Sequence, residues 1–401
     1  MSSVPSQFDA SGSFLGYLYQ ARVALLLTLR KTKRDPGVQV SIERFDDVTF
    51  EANGTPLERI QTKHHIGNKG SLTDRSSDLW RTIRIWSEDT LKGELDPSSV
   101  ILTLLTTGVA PVGSAAYYLR AEGRDEREAA RILLQVAKAG GNVENEPGYA
   151  AFLQLGKTER ASLLTAVNVI DASPSISGIE GELEDQLFYV VDRKHLKGFL
   201  DRVEGWWFRK VIQQLHTSER IPIFGQQVEA EIEELREQYH ADNLTIDFFS
   251  EEPPEGVSPD SDTRFFVEQL RLIAVVNTRI ADAIRDYYRA FQQTSLWLRE
   301  DQIVLDELER YETRLVDEWK RYRDSLMDDL PSSATEEERR KVGKDLYNWS
   351  QFEADIPIRP RCTEPYVLRG SYHMLSDTGK VGWHPDFLKR LQKILSDAST
   401  A

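Results

Sequence analysis

The sequence predicts an α/β N-terminal domain followed by a mostly α-helical C-terminal domain. Two observations support this fold class. In the first 106 residues, helical spacing of apolar residues, alternating strand patterns and a turn signal follow one another. From residue 124 onward, apolar residues recur mainly at helical spacing. The chain has 401 residues, enough for two or three domains. We expect one domain over 14–198 and a second over 199–401.

Five segments build the predicted α/β core. Apolar residues recur at helical spacing in the first, and the strand segments are rich in alternating or β-branched residues. Asn53-Gly54 is a strong signal for a tight turn between two strands. The segments are a helix over 14–30, a strand with a kink over 38–50, a return strand over 57–64, a short helix over 78–86, and a strand buried on both faces over 100–106.

The rest of the chain is predicted to be mostly helical. In a long helical hairpin, an apolar stripe from Val304 to Leu326 steps by four and three. Such a stripe either closes the protein's own bundle, which we favour, or seats a partner helix. The helical segments are 125–140, 149–168, 179–216, 265–298 and 299–326. Residues 357–385 are rich in Pro, Gly and aromatics, which predicts an ordered loop or short strands.

Charge and composition limit the possible functions. The net charge is -15, which argues against a protein that coats nucleic acid by bulk attraction. Residues 1–90 hold 12 basic and 11 acidic residues, and the remainder holds 38 and 54, so any DNA contact belongs to the N-terminal part. Cys362 is the single cysteine, which predicts a reducing, cytoplasmic location. No apolar run approaches a membrane span, and no phosphate-binding loop for ATP is present.

Polar residues suited to metal-dependent chemistry cluster in the predicted core. Glu43, Asp46 and Asp47 precede Gln61 and Lys63, which project from one face of a strand because side chains two apart share a face. Mg²⁺ prefers oxygen ligands, and one or two carboxylates with a neutral oxygen suffice. Such a site can hydrolyse a phosphodiester, because a bound metal activates water and an ammonium stabilises the growing charge.

These residue types predict distinct roles. Asp47 and Gln61 are predicted to bind Mg²⁺, with Mn²⁺ as its substitute, and Lys63 to serve the nucleophile. Asp46 and Glu43 are second choices for the carboxylate role. The competing interpretation is an acidic turn that faces solvent beside a Q-x-K sequence that arose by chance.

A family resemblance favours the chemical interpretation. Gly16-Tyr17-Leu18-Tyr19-Gln20, then Glu43 with Asp46-Asp47-Val48, then Ile60-Gln61-Thr62-Lys63, resembles the nuclease domain of bacterial CBASS-type effector endonucleases of the PD-(D/E)xK class. The resemblance implies a restriction-endonuclease-like fold. It also implies metal-site roles for Asp47, Gln61 and Lys63, and a neighbouring role for Gln20. Glutamine in place of the commoner acidic residue is a departure that weakens metal affinity.

A second resemblance lies in the C-terminal half. Residues 283–297 and 315–319, Arg369-Gly370-Ser371-Tyr372-His373 and Gly382-Trp383-His384-Pro385 resemble a C-terminal domain of ABC-three-component defence systems, a group that includes the Lamassu anti-phage system. The resemblance implies a nuclease subunit that associates with an SMC-like ATPase and a small third subunit. It therefore implies that any ATP is hydrolysed elsewhere in a complex.

Further basic residues follow the predicted site. Arg75, Arg81 and Arg84 either bind DNA phosphates or solvate a helix face, and the sequence leaves both interpretations open. His64 and His65 follow Lys63; contact with phosphate or metal is one interpretation, and a polar strand end is the preferred one.

Two functions are compatible with these observations. The first is a regulated, Mg²⁺-dependent endonuclease for double-stranded DNA that partner subunits hold inactive and that release or self-association activates. The second is a nuclease-like scaffold subunit without activity, which Gln61 and the acidic charge of the chain would suit.

Overall fold

The computed structural model describes residues 11–65, 70–390 and 392, and it divides into two compact units. Unit 1 comprises Met1–Val191 and Leu196–Glu233. Unit 2 comprises Asp192–His195 and Glu234–Ala401. The chain is a mixed α/β protein with a mostly helical C-terminal region, as the sequence predicts. Among the described residues, no helix combines the length and the apolar character needed to cross a membrane.

Unit 1 is built on a six-stranded mixed sheet whose strand order is β5-β4-β3-β2-β1-β6. Strands β1, β2 and β3 pair antiparallel, while β4 and β5 follow parallel to β3. The strands are β1 (Gln39–Ile42), β2 (Val48–Ala52), β3 (Thr55–Lys63), β4 (Ile101–Thr106), β5 (Val167–Ile170) and β6 (Ile223–Phe224). The helices are α1 (Ser11–Thr32), α2 (Ser77–Lys92), α3 (Ala115–Tyr118), α4 (Glu126–Ala139), α5 (Glu146–Gln154), α6 (Lys157–Ala166), α7 (Ile176–Leu187), α8 (Leu196–His216) and α9 (Gly225–Gln238). The residues of α9 from Glu234 onward belong to unit 2.

The centre of the sheet follows the sequence closely. Asn53 and Gly54 have φ of 50° and 80°, the left-handed pair that a tight turn between β2 and β3 requires. Strand β4 is buried along nearly its whole length, as expected for a parallel strand with both faces covered. One prediction is wrong: 38–50 is not a kinked strand but two antiparallel strands, β1 and β2, joined by the loop 43–47.

Helix α8 belongs to unit 1, and the predicted domain boundary at 198/199 falls inside it. Trp207 Nε1 donates to the carbonyl of Ala21 at 2.8 Å, and Gln214 Oε1 accepts from the backbone N–H of Ile42 at 2.8 Å. These bonds attach α8 to α1 and to the sheet. The chain passes from unit 1 to unit 2 at 233/234 instead, because α8 is bonded to α1 and to the sheet. The short segment Asp192–His195 before α8 also belongs to unit 2.

The helices described in unit 2 after α9 enclose a second core of their own. They are α10 (Phe265–Leu272), α11 (Asn277–Arg299), α12 (Leu305–Asp328), α13 (Glu336–Phe352) and α14 (Pro365–Asp377). The predicted helix over 265–298 is interrupted at Ala274, which has φ of 53°. The stripe on α12 closes this bundle: Tyr311, Leu315 and Trp319 are buried in the core of unit 2.

A buried histidine in that core makes the stability of unit 2 depend on pH. His373 lies between the rings of Phe266 and Tyr347, and within the described part of the chain neither ring nitrogen has a hydrogen-bond partner. Burial, with help from the Arg369 guanidinium, lowers the pKa of His373 to about 3. Below about pH 6.5, His373 therefore becomes protonated in the unfolded chain but stays neutral in the folded chain.

We expect the free energy of unfolding of unit 2 to fall as the pH drops below about 6.5, with a slope from His373 that approaches about 1.4 kcal/mol per pH unit. A His373→Leu variant should lack this part of the slope. Urea unfolding followed by tryptophan fluorescence between pH 7 and 5 measures the difference. His240→Leu, at an exposed histidine of the same unit, is the control. Equal slopes for wild type and His373→Leu would contradict the assignment.

Candidate metal site in unit 1

The loop 43–47 presents the acidic residues, and a glutamine of α1 holds it in place. Glu43 has φ of 54°, a left-handed conformation that turns the chain sharply after β1. The backbone N–H of Glu43 donates to the carbonyl of Asp47 at 3.2 Å. The buried Gln20 donates through Nε2 to the same carbonyl at 2.6 Å and to Glu43 Oε1 at 3.0 Å. Gln20 thus contacts both acidic residues at the ends of the loop.

Asp47 lies at the point where β2 and β3 stop pairing. The last paired residues are Val48 and Ile60, so the next N–H of β3 in need of an acceptor is that of Thr62. Asp47 Oδ2 accepts from the Thr62 N–H at 2.7 Å and from the Thr62 hydroxyl at 3.0 Å. None of the described residues donates a hydrogen bond to Asp47 Oδ1. Asp47 Oδ2 therefore accepts the hydrogen bonds at the edge of the sheet, and Asp47 Oδ1 is available to a ligand.

The charges around Asp47 act in opposite directions. Burial raises the pKa of Asp47 above its usual value, and the Lys63 ammonium is the largest influence that lowers it. The bonds from Thr62 also lower the pKa, whereas the nearby Glu43 carboxylate raises it. Lys63 and Glu43 are therefore both close enough to influence Asp47 electrostatically.

Gln61 and Lys63 lie side by side on β3, as strand alternation predicts. Lys63 Nζ donates to Gln61 Oε1 at 3.0 Å, and Gln61 itself is buried. The opposite end of the Gln61 amide donates to Asp46. Lys63 is thus the residue that connects the three main predictions, because it contacts Gln61 directly and Asp47 through its charge.

Asp46 occupies a different position from Asp47. Its Oδ1 accepts from Gln61, and its Oδ2 accepts from Trp86 Nε1 at 2.8 Å and from Arg59 Nε at 3.1 Å. Burial raises the pKa of Asp46, and the Arg59 guanidinium opposes this, followed by the donors Gln61 and Trp86. Both oxygens are occupied inside the core, so Asp47 and not Asp46 is the carboxylate that can reach a ligand.

The oxygen atoms present suit a hard divalent cation. Asp47 and Glu43 offer carboxylates and Gln61 offers an amide oxygen, which is the ligand chemistry of Mg²⁺ or Mn²⁺. Within the described residues, no group of three or more His, Cys, Asp or Glu side chains is arranged to hold a metal. A cation at this site would therefore keep several of its waters, as Mg²⁺ commonly does.

The predicted DNA-binding arginines lie mostly on the outer side of α2. Trp86 points inward to Asp46, whereas Arg81 and Arg84 are exposed and pair with Glu144 and Glu88, each at 2.6 Å. Arg75 is exposed before the helix, with a 3.5 Å contact from Nη1 to the carbonyl of Gly140. No contact joins these three arginines to Gln61 or Lys63 in the described part of the chain.

The histidines at the end of β3 are held by neighbours within unit 1. The His64 ring packs at a tilt against the Tyr19 ring, with centroids 4.6 Å apart, and its Nε2 accepts from the Ile176 N–H at 3.4 Å. Burial, with a smaller contribution from the charge of His65, lowers the pKa of His64. His65 Nε2 lies 2.9 Å from Asp78 Oδ2. These contacts agree with the polar strand end that the sequence favours.

Sequence reasoning missed three residues that shape the site. Arg59 alternates with Gln61 and Lys63 on β3, so its place on the same face was available from the pattern. Thr62, which binds Asp47, and Trp86, which binds Asp46, carry no such signal, because their roles depend on how β2 ends and on where α2 packs.

Comparisons with known proteins identify the C-terminal region. Residues 266–391 match C-terminal domain 7 of the ABC-three component (ABC-3C) systems. This region of the chain therefore carries a domain of the ABC-three component anti-phage defence systems. This agrees with the resemblance of the C-terminal motifs. None of the curated proteins matches the chain in sequence.

Solved structures give a weaker likeness. One is the Acinetobacter baumannii Cap4 SAVED/CARF-domain containing receptor with the cyclic trinucleotide 2'3'3'-cAAA, at 14% identity and a TM-score of 0.31, over 68% of this chain and 59% of that one. A second structure of the Acinetobacter baumannii Cap4 SAVED/CARF-domain containing receptor gives 13% identity and a TM-score of 0.31, over 71% of this chain and 63% of that one. The chain spans about three fifths of the length of these receptors. A TM-score this low does not define a shared fold.

Proposed function

We propose that this chain is a metal-dependent endonuclease for double-stranded DNA, with unit 1 as a restriction-endonuclease-like nuclease domain. The observation that carries the proposal is the position of Lys63. Its ammonium donates to the Gln61 amide oxygen at 3.0 Å and interacts with the charge of Asp47, which has a free oxygen. Carboxylate, amide oxygen and ammonium in one small volume are the groups that phosphodiester hydrolysis needs.

Each side chain has a defined task in this proposal. Asp47 and Gln61 hold the cation, Glu43 adds a second carboxylate at the exposed side, and Gln20 fixes the loop that carries both acids. Lys63 orients the attacking water or stabilises the charge that grows on the phosphate. The bound Mg²⁺ would supply a water of lowered pKa and neutralise part of the phosphate charge.

The first test removes the carboxylate. Asp47→Asn keeps an oxygen that can accept from Thr62, so the fold should persist, but it removes the charge that holds the cation. We expect DNA cleavage with Mg²⁺ to fall by about 100-fold or more. The assay uses purified full-length chain, alone and joined to a dimerisation domain, with Mg²⁺ or with a chelator. Asp185→Asn, an exposed aspartate on α7, is the control.

Two outcomes of this assay would count against the proposal. Equal cleavage by wild type and Asp47→Asn would exclude the site. Absence of cleavage under every condition, with biological defence intact in Asp47→Asn and Lys63→Ala, would favour the alternative of an inactive scaffold subunit.

We further propose that the nuclease is the effector of the complex. An SMC-like ATPase subunit and a small third subunit hold it inactive, and release or self-association activates it. The support is the ABC-3C domain over 266–391 together with the acidic charge of the remainder of the chain after residue 90. Purified complex should cleave DNA more slowly than the released chain at equal concentration; equal rates would contradict this regulation.

A further inference from the structure

The buried cluster around Asp46 has more connections than a simple ion pair needs. Arg59 Nε donates to Asp46 at 3.1 Å, while Arg59 Nη2 donates to Asp89 Oδ2 at 2.6 Å and to the carbonyl of Phe45 at 2.6 Å. Trp86 Nε1 adds a third donor to Asp46 besides Arg59 and Gln61. All three partners donate hydrogen bonds to the Asp46 side chain, so both of its oxygens act as acceptors.

The same cluster decides which way the Gln61 amide points. Its nitrogen donates to the Asp46 carboxylate, and its oxygen accepts from the Lys63 ammonium. A reversed amide would face its oxygen to a carboxylate and its NH₂ to an ammonium, losing both bonds. Asp46 and Lys63 therefore fix the amide oxygen on the side that faces Lys63.

We propose that Asp46 is a positioning residue that orients Gln61 through the hydrogen bond from its amide nitrogen, so that an amide is required at position 61. The inference rests on the proposed function, since the oriented oxygen is the one assigned to the cation. A glutamate at 61 has no N–H to donate, so it would place two hydrogen-bond acceptors in direct contact and lose the bond to Asp46. The Asp46 carboxylate thus contacts the cation site only through its hydrogen bond with Gln61.

An exchange of the two side chains tests the inference. In the double variant Asp46→Asn/Gln61→Glu, the new amide nitrogen can donate to the new carboxylate, and the new amide oxygen can accept from Arg59 and Trp86. Every hydrogen bond and the net charge are conserved. We expect Gln61→Glu alone to lower the thermal midpoint by several degrees and the double variant to recover most of this loss.

Metal affinity is a second measurement, and it would not change if the contact between Asp46 and Gln61 served stability alone. The exchange brings a full carboxylate to the cation, so the double variant should bind Mn²⁺ about tenfold more tightly than wild type. Mn²⁺ titration followed by electron paramagnetic resonance measures this on the full chain.

The matched control is Asp89→Asn/Gln61→Glu. It has the same formal charge and also removes a carboxylate from Arg59, but Asp89 bonds Arg59 and has no contact with Gln61 among the described residues. We expect no recovery of the midpoint in this control. Equal recovery in both double variants, or none in either, would overturn the positioning role while wild type still binds Mn²⁺. Absence of Mn²⁺ binding in every variant, wild type included, would instead overturn the proposed function and the inference with it.

Discussion

Lys63→Ala is expected to reduce DNA cleavage by about 100- to 1,000-fold, because it removes the cation placed to stabilise charge on the phosphate. Mn²⁺ affinity should stay near the wild-type value, since Lys63 donates to the amide oxygen of Gln61 but supplies no ligand itself. Single-turnover cleavage at saturating Mg²⁺ and a Mn²⁺ titration together measure this split. The loss of Asp47, in contrast, should lower both quantities.

Two further variants test whether the loss of cleavage comes from the charge of Lys63. Lys63→Arg keeps the charge but spreads it over a planar group, so we expect only partial activity. Lys92→Ala, at an exposed lysine at the end of α2, is the control and should cleave like wild type. If Lys63→Ala cleaves DNA at the wild-type rate, the ammonium has no part in the reaction.

Gly370→Ala is expected to destabilise unit 2 by about 3 kcal/mol or more. Gly370 lies on α14 where that helix meets α11, and a Cβ there would stand 2.8 Å from the carbonyl carbon of Asp286 and closer to its oxygen. The methyl group would also meet Ala290, which is buried. The two helices would have to separate, which opens the core around them. Denaturant unfolding of the full chain measures the loss.

The control for Gly370 is a helical glycine with space around it. A Cβ at Gly181, on α7, would meet no atom within 4 Å. Gly181→Ala should therefore be neutral or stabilise unit 1 slightly, because alanine has the higher helix propensity. Similar stability of Gly370→Ala and wild type would mean that α11 and α14 do not pack this closely. The prediction also gives the Arg369-Gly370-Ser371 sequence a physical role in helix packing.

The central hairpin could be predicted from the sequence because its signals are local. The Asn53-Gly54 turn joins β2 to β3, and alternation along β3 puts Gln61 and Lys63 on one face. Their contact at 3.0 Å follows from that alternation, whereas the register shift between Phe50 and Glu51 has no signal in the sequence. The choice between Asp46 and Asp47 did not follow, because it depends on Trp86, which is 40 residues away in sequence from Asp46.

Other elements could not be predicted because their causes are not local. Strand β5 has only four residues and extends a segment that reads as helix; its pairing with β4 makes it a strand. The loop 43–47 depends on a left-handed conformation at Glu43, and glutamate is not a residue type that favours this conformation. The prediction of an ordered loop or short strands over 357–385 is wrong, since this Pro- and Gly-rich stretch contains α14. Pro365 is in the first turn of that helix, where proline is tolerated.

The buried cluster around Asp46 has a consequence for how this protein would respond to heat. It ties the loop 43–47, the strand β3 and the helix α2 to one buried ion network. The orientation of Gln61 depends on that network. We therefore expect the candidate metal site to lose its geometry only when the structure around it unfolds. We therefore expect the activity of unit 1 to be lost over the same temperature range in which Trp80 and Trp86 become accessible to solvent. A folded but inactive intermediate should not accumulate on heating.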